Sequence, residues 1–349
     1  MSNPRNLKDE YFYSLPSPWS TPIDSEVLFP IQSFEKLLND FGWSDPLVWL
    51  KHWIGRDGVN LAKSSWSPCI KSDWIWGLGL PFLSDVERYL LTAKKPVLMG
   101  ISGPPGCGKT TLGRWLEGAA VELNWPLAVI SLDDFYLPAT QRKEAMLGNP
   151  WKVPRALPGS HSIPLLERTI DNWIETGVLL APQFDKSLRN GSGDRCGWRR
   201  ANPKVLVIEG WFLGCPTIDQ IPVDKDTKND VCLSLTTNEY KYRKKVQECL
   251  LRYQPLWDRF SRIWNLKALD FTATTTWKKQ QEAKMFIERG SSLQGIALDS
   301  FIRMIQVAIP QESLQSINAQ VIVRVNNARQ IKWVGRKEDE PRDSLFLAE

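Results

Sequence analysis

Eight residues carry the strongest chemical signal in this chain: Gly103-Pro104-Pro105-Gly106-Cys107-Gly108-Lys109-Thr110, directly after the apolar run Val97-Leu98-Met99-Gly100-Ile101. The spacing is that of a phosphate-binding loop, G-x-x-x-x-G-K-T. Glycines let the backbone wrap an anion without side-chain clashes. The freed N–H groups, together with the N-terminus of a following helix, then face the phosphates. Lys109 is expected to reach the β and γ phosphates and Thr110 to bind Mg²⁺, with Thr111 opening a helix-like run that extends to Leu123. Cys107 lies inside the loop and has two readings, a thiol activated by the helix terminus or a small inert filler, of which the filler is the simpler.

Acidic residues follow two further strand-like runs. Ser131-Leu132-Asp133-Asp134-Phe135-Tyr136 offers a carboxylate to align an attacking hydroxyl and a second to assist a metal. Val205-Leu206-Val207-Ile208-Glu209-Gly210-Trp211 ends an apolar run on an acid, the arrangement that holds Mg²⁺ directly or through water. A solvated Asp pair at a turn and a helix-capping Glu are the plainer alternatives. The stretch Phe184 to Arg195 mixes cations with glycines, and its Lys186 and Arg195 are candidates to grip a carboxylate or phosphate. Arg155 and His161 lie in Arg155-Ala-Leu-Pro-Gly-Ser-His161 and extend that candidate set.

These residues need a scaffold that brings strand ends together. From residue 96 onward the runs Val97-Ile101, Leu127-Leu132, Val205-Ile208, Ile263-Leu266 and Val321-Val325 alternate with helix-like runs, which predicts a parallel sheet with helices on both faces. Ligands of such sheets bind at the carboxyl ends of the strands. Two stretches, 137–163 and 181–204, read as long irregular loops, and their Arg, Lys, His and Asp content favours an ordered binding role. Residues 1–30 read as irregular and 31–95 as helical, with Phe34, Leu37, Leu38 and Phe41 at helical spacing and Ser84 with Glu87 spaced as a capping box. Trp19, Trp43, Trp49, Trp53, Trp66, Trp74 and Trp76 crowd this region, as a helical layer packed on the main domain would require. An aromatic surface for bases is the other reading.

Composition sets outer limits. A chain of 349 residues can bury a large core, and a net charge of +5 spread along it does not argue for a nucleic-acid partner. The six cysteines lack C-x-x-C spacing and only His52 and His161 accompany them, which argues against zinc. No run has the length of a membrane span and Met1 to Glu10 is polar, so a cytoplasmic location with free thiols and no membrane partner is expected.

Together the segments Gly100 to Leu112, Ser131 to Pro138, Arg155 to His161, Phe184-Asp-Lys-Ser187, Gly191-Ser-Gly-Asp-Arg195, Glu209-Gly-Trp-Phe-Leu-Gly214 and Trp277-Lys-Lys-Gln-Gln-Glu282 resemble the P-loop D-glycerate 3-kinase family of plants and cyanobacteria. That family is related to the phosphoribulokinase, uridine kinase and pantothenate kinase group. The resemblance implies an α/β, three-layer P-loop kinase domain over residues 96–349 with a five-stranded, mainly parallel sheet, and an N-terminal helical extension over residues 1–95. It also implies ATP-dependent phosphorylation of D-glycerate with Mg²⁺ in photorespiratory or glycolate salvage metabolism, by a monomer or small homo-oligomer. Asp133 then matches the catalytic base, with Lys109 beside it. The nucleotide falls to Gly103 through Thr111, the metal to Thr110 and Glu209, and the substrate to Asp134, Tyr136, Arg155, His161, Lys186 and Arg195. Two departures stand out: Ser162 replaces the usual Asp, and Lys278 replaces an Arg, exchanging a bidentate fork for a point charge. A kinase of another hydroxylated metabolite, such as a nucleoside or pantothenate, and a non-catalytic ATP-binding regulator remain the alternatives.

Overall fold

The structure is a computed structural model and describes residues 31–65, 72–189, 191–218 and 234–341. The irregular reading of residues 1–30, and Trp19, Trp66, Cys69 and Cys232, lie outside the described residues.

The N-terminal region is helical. α1 (Ile31–Asp40) places Leu37 and Leu38 inward. α2 (Pro46–Gly55) starts where the Asp45 side chain accepts the Leu47 N–H and a proline occupies the first turn. A short helical turn at Ser72–Trp74 runs through a π-helical turn, Ile75–Gly79, into α3 (Leu80–Thr92). Ser84 is therefore mid-helix and caps nothing: its Oγ donates to the Leu80 carbonyl (2.9 Å) and accepts from the indoles of Trp49 (2.7 Å) and Trp53 (2.9 Å). The capping-box spacing misled because the helical path begins several residues earlier. Of the described tryptophans in this region, Trp49, Trp53, Trp74 and Trp76 are buried, as a packed layer requires.

Next come β1 (Val97–Ser102), α4 (Lys109–Glu122), β2 (Leu127–Ser131), α5 (Ala139–Ala145), α6 (Ile163–Thr176), β3 (Leu179–Asp185), β4 (Asp194–Ala201) and β5 (Val205–Gly210). The chain closes with α7 (Thr237–Leu251), α8 (Gln254–Trp257), β6 (Arg262–Ala268), α9 (Ala273–Arg289), α10 (Gly295–Val307), α11 (Gln311–Gln315), β7 (Val321–Val325) and β8 (Ile331–Arg336). The main sheet has six strands in the order β2-β5-β1-β6-β7-β8. All five strand-like runs form its parallel part, and β8 adds a sixth strand antiparallel to β7. Alternate residues feed two cores. Val97, Met99, Ile101, Val205 and Val207 join the N-terminal helices and α4 on one face, while Leu98, Leu206 and Ile208 join α6, α7, α8 and α10 on the other. The outer edge of β2 is closed by side chains, since Glu117 accepts the Val129 N–H and Arg199 donates to its carbonyl.

The stretch 181–204 corrects the irregular expectation. β3 and β4 form a separate two-stranded antiparallel hairpin with a bulge at Gln183/Phe184. Buried Arg142 ties its tip down by donating to the carbonyls of Leu137, Ser192 and Gly193. The stretch 137–163 is ordered as well, with α5 and buried Trp151, Val153 and Leu157. Among the described residues no helix is long and apolar enough to cross a membrane.

Candidate active site

The glycine loop leaves β1 and ends where α4 begins at Lys109. Gly108 precedes it at φ +110°, and no side chain caps the helix start. The first-turn N–H groups thus form a cradle for an anion. The loop is walled on both sides: a methyl on Gly106 (φ +80°) would lie 2.8 Å from Trp277 Cβ, and one on Gly108 2.8 Å from the Trp74 indole. Lys109 is buried and lies along its own loop, donating from Nζ to the carbonyls of Gly103 (2.7 Å) and Pro104 (3.0 Å). Cys107 is fully buried and burial pushes its thiol up, so it fills space rather than reacts.

Register brings the acids to this loop. Parallel pairing sets Ser102 opposite Gly210 and Ser131 opposite Glu209, so the ends of β1, β2 and β5 meet at one crevice. There Thr110 Oγ1 donates to Glu209 Oε1 at 2.8 Å. This hydroxyl and carboxylate are hard oxygen donors in contact at the cradle's mouth, and they suit Mg²⁺, which takes few protein ligands and completes its shell with water and substrate phosphates. Among the described residues there is no larger cluster of metal-ligating side chains.

Asp133 stands in the 3₁₀ turn Leu132–Phe135 at the end of β2. Its Oδ1 accepts from the Tyr136 hydroxyl (2.7 Å) and its Oδ2 from Lys186 Nζ (2.6 Å), with His161 Nε2 3.8 Å from Oδ1. Burial pushes the carboxyl up, but the Lys186 ammonium and the His161 ring outweigh it and hold it well below the usual range. Asp133 is therefore ionised at neutral pH. Two donors leave lone pairs free on the carboxylate. Burial and the facing Asp133 keep the Tyr136 hydroxyl protonated, and burial keeps His161 neutral.

A cavity of about 490 Å³ joins the cradle to Asp133. Its lining takes in Lys109, Thr110, Thr111, Asp133, Tyr136, Arg155, Lys186 and Glu209 from the sequence-derived set, along with Pro105, Gly106 and Gly108 of the loop. Gly103, Pro104 and Cys107 lie behind this wall. Asp134, His161 and Arg195 do not line it. Both Asp134 oxygens accept backbone N–H groups, from Ser131 (3.1 Å) and Phe184 (3.2 Å), and burial pushes its carboxyl up to about 6. It anchors β3 to the Asp133 turn, outside the cavity lining. His161 is stacked behind Tyr136 (ring centroids 4.5 Å apart) with Nδ1 3.0 Å from the Tyr253 hydroxyl. Arg195 donates from Nε to the Tyr136 carbonyl at 3.2 Å, which makes it a brace for the tyrosine.

Charge in the cavity is lopsided: Lys109, Arg155, Lys186, Lys278, Lys284 and Arg329 face only Asp133, Glu209 and Glu282. Arg155 is buried and donates to the Gly191 carbonyl in the β3–β4 turn. Its position is fixed by Trp211, whose indole donates to the Ala156 carbonyl at 2.9 Å. Lys278 pairs with Glu282 one helical turn on, and burial lowers its pKa. Sequence reading missed Trp74, Trp211, Gln280, Glu282 and Arg329 as wall residues. Trp211 and Glu282 sat within quoted motifs, whereas Arg329 and Trp74 carried no spacing signal.

The chain is similar to known kinases. It is 28% identical over 223 residues to the uncharacterized kinase mug58 of Schizosaccharomyces pombe, spanning 60% of this chain and 79% of that protein. It is 28% identical over 220 residues to the chloroplastic D-glycerate 3-kinase of Arabidopsis thaliana, spanning 59% of this chain and 45% of that protein, less than half of its length. The solved D-glycerate 3-kinase of Cryptococcus neoformans superposes with a TM-score of 0.57 at 22% identity, covering 73% of this chain and 96% of that one, which establishes a shared fold. No family model matches the chain. Its relatives nonetheless include a protein named as a D-glycerate 3-kinase.

Proposed function

We propose that this chain is an ATP- and Mg²⁺-dependent kinase that phosphorylates D-glycerate, giving 3-phosphoglycerate in photorespiratory or glycolate salvage metabolism. The observation that carries the reading is the position of Asp133, ionised and half-buried, at the junction between the anion cradle and a set of cations. The similarity to a D-glycerate 3-kinase supports the choice of acceptor.

In this reading the loop amides and Lys109 hold the phosphates of ATP, and Lys109 must swing from the Gly103 and Pro104 carbonyls to reach them. Thr110 and Glu209 would hold Mg²⁺, which would supply charge neutralisation for the phosphates. Arg155 and Lys186 bind the glycerate carboxylate. Asp133 accepts the proton of the attacking hydroxyl through a lone pair that Tyr136 and Lys186 leave free. A strongly held carboxylate is a weak base. That suits a loose phosphoryl transition state, in which the hydroxyl proton leaves late. The β3–β4 hairpin carries Lys186 at its turn and contacts Arg155 through Gly191, so it ties together the two cations assigned to the carboxylate.

The test is ADP release coupled to acceptor, with D-glycerate, L-glycerate, a nucleoside and pantothenate compared, followed by identification of the product isomer by NMR. D-Glycerate should give the highest kcat/KM. Turnover with a nucleoside or pantothenate exceeding that with D-glycerate would overturn the acceptor, and ATP binding without acceptor-dependent ADP release would overturn the kinase reading.

A further inference from the structure

The helical region ahead of the sheet meets the phosphate loop at Trp74. Trp74 is buried, yet its indole lies against Gly108 and forms part of the cavity wall. Its Nε1 donates to the Arg329 carbonyl at 2.6 Å. Arg329 stands in the turn between β7 and β8 at φ +57°, a strained conformation for a residue with a side chain. The same residue returns to the loop from the other side: its Nε donates to the Gly106 carbonyl at 2.8 Å and its Nη1 to Gln280 at 2.7 Å. The turn is pinned twice more, by Asp73, which accepts the Ile331 N–H at 2.7 Å, and by Trp277, which donates to the Asn327 carbonyl at 2.7 Å. Trp277 in turn packs on Gly106.

Both left-handed glycines of the cradle are thus held by tryptophans bonded to one hairpin turn. The direction of the amides that face a phosphate depends on these glycine dihedrals. A helix terminus binds an anion well only if its N–H groups are already aimed, because aiming them on binding costs affinity.

We propose that Trp74 is a positioning residue of the nucleotide site: packed on Gly108 and bonded to the Arg329 carbonyl, it holds the glycine loop in its anion-binding shape. The helical region before the sheet is then a working part of the nucleotide site. The proposal rests on the loop's being a nucleotide cradle and is independent of the acceptor.

The experiment uses the full chain and direct binding. Affinities for a non-hydrolysable ATP analogue and for inorganic tripolyphosphate, each with Mg²⁺, are measured calorimetrically for wild type, Trp74→Phe, Trp74→Leu and Arg329→Met. Trp74→Leu removes packing and hydrogen bond together and should weaken both ligands about tenfold, with Trp74→Phe intermediate. Arg329→Met, which removes the bond to Gly106, should weaken both in parallel. In turnover, KM for ATP should rise while KM for the acceptor stays within about twofold of wild type. Unchanged affinities in folded variants would overturn the proposal. So would loss of the analogue's affinity with tripolyphosphate unaffected, since Trp74 would then touch the nucleoside. If Trp74→Leu fails to fold by circular dichroism, the Trp74→Phe and Arg329→Met pair decides. A wild type that binds neither ligand would sink the cradle reading itself.

Discussion

Replacing Asp133 by Asn tests the chemistry at its centre. The carboxylate accepts from Tyr136 on one oxygen and from Lys186 on the other. An amide of the same shape can keep its carbonyl toward Lys186 and turn its NH₂ toward Tyr136, whose hydroxyl can rotate to accept. The fold should therefore survive, while the group proposed to take the hydroxyl proton is lost. General bases of this kind contribute about 10²–10⁴ in rate, or about 3 to 5 kcal/mol in barrier, and kcat should fall by that factor with little change in the affinity for ATP. A second signature follows from Lys186. Burial lowers its pKa, and the facing Asp133 overcomes that and raises it. Without the carboxylate the ammonium loses its proton more readily, so the alkaline limb of any residual kcat/KM profile should move to lower pH. Steady-state ADP release across pH, with circular dichroism as the folding control, reads both effects. A variant within about tenfold of wild-type kcat, with an unmoved alkaline limb, would refute the assignment of Asp133 as base.

Two further outcomes are expected. Lys109→Met should lower kcat/KM for ATP by about 10²–10³ while leaving the thermal midpoint nearly unchanged, because the bonds of Lys109 Nζ to the Gly103 and Pro104 carbonyls and to Cys107 Sγ stay within its own loop, which differential scanning fluorimetry and kinetics check together. For Asp134, burial raises the carboxyl from 3.8 to about 6. The folded state then binds a proton that the unfolded state has lost, so its contribution to stability falls as pH rises through that window, by about 3 kcal/mol in all. The stability difference between wild type and Asp134→Asn in urea should decline from pH 4 to pH 6 and level off beyond. A flat difference there contradicts the burial argument.

What the sequence disclosed follows from where local pattern and physical need coincide. The glycine loop was legible because anion wrapping demands glycine at fixed spacing, and Glu209 because an acid ending the apolar strand β5 has few other uses. The strands of the parallel sheet were legible because both of their faces are buried, which leaves continuous apolar runs. The β3–β4 hairpin was hidden for the opposite reason. Arg195, Arg199 and Arg200 lie on a strand whose burial alternates between half-buried and exposed, and Gly191, Ser192 and Gly193 of the turn before it extend the look of a loop. Asp134 looked chemical because it sits beside Asp133, but a 3₁₀ turn points adjacent side chains in different directions and its neighbours' amides claimed it. The bracket of Trp74 and Arg329 joins residues 255 apart in sequence, a separation at which no spacing rule operates.

The arrangement of cations bears on which acceptor the cavity can hold. Arg155 and Lys186 stand at the Asp133 end with Lys278 behind them on α9, and Lys278 is lowered first by burial and then, against the pull of Glu282, by the positive charges of Lys186 and Arg155. Asp133 offsets part of this repulsion at Lys186 and Glu282 part of it at Lys278, and an anion that enters the site offsets more. A nucleoside or another neutral acceptor adds no such charge, whereas in the proposed reading a small hydroxy acid would add it and would be held where its hydroxyl meets Asp133. Glyceramide has nearly the shape of glycerate and lacks its charge. Losing one partner of a desolvated charge pair costs at least about 2 kcal/mol, so kcat/KM for glyceramide should fall roughly 30-fold or more below that for D-glycerate. The penalty should shrink in Arg155→Met, where the cation that senses the charge is gone. Equal kcat/KM for acid and amide in the wild type would mean that these cations serve the triphosphate alone, and the hydroxy-acid reading would lose its physical basis.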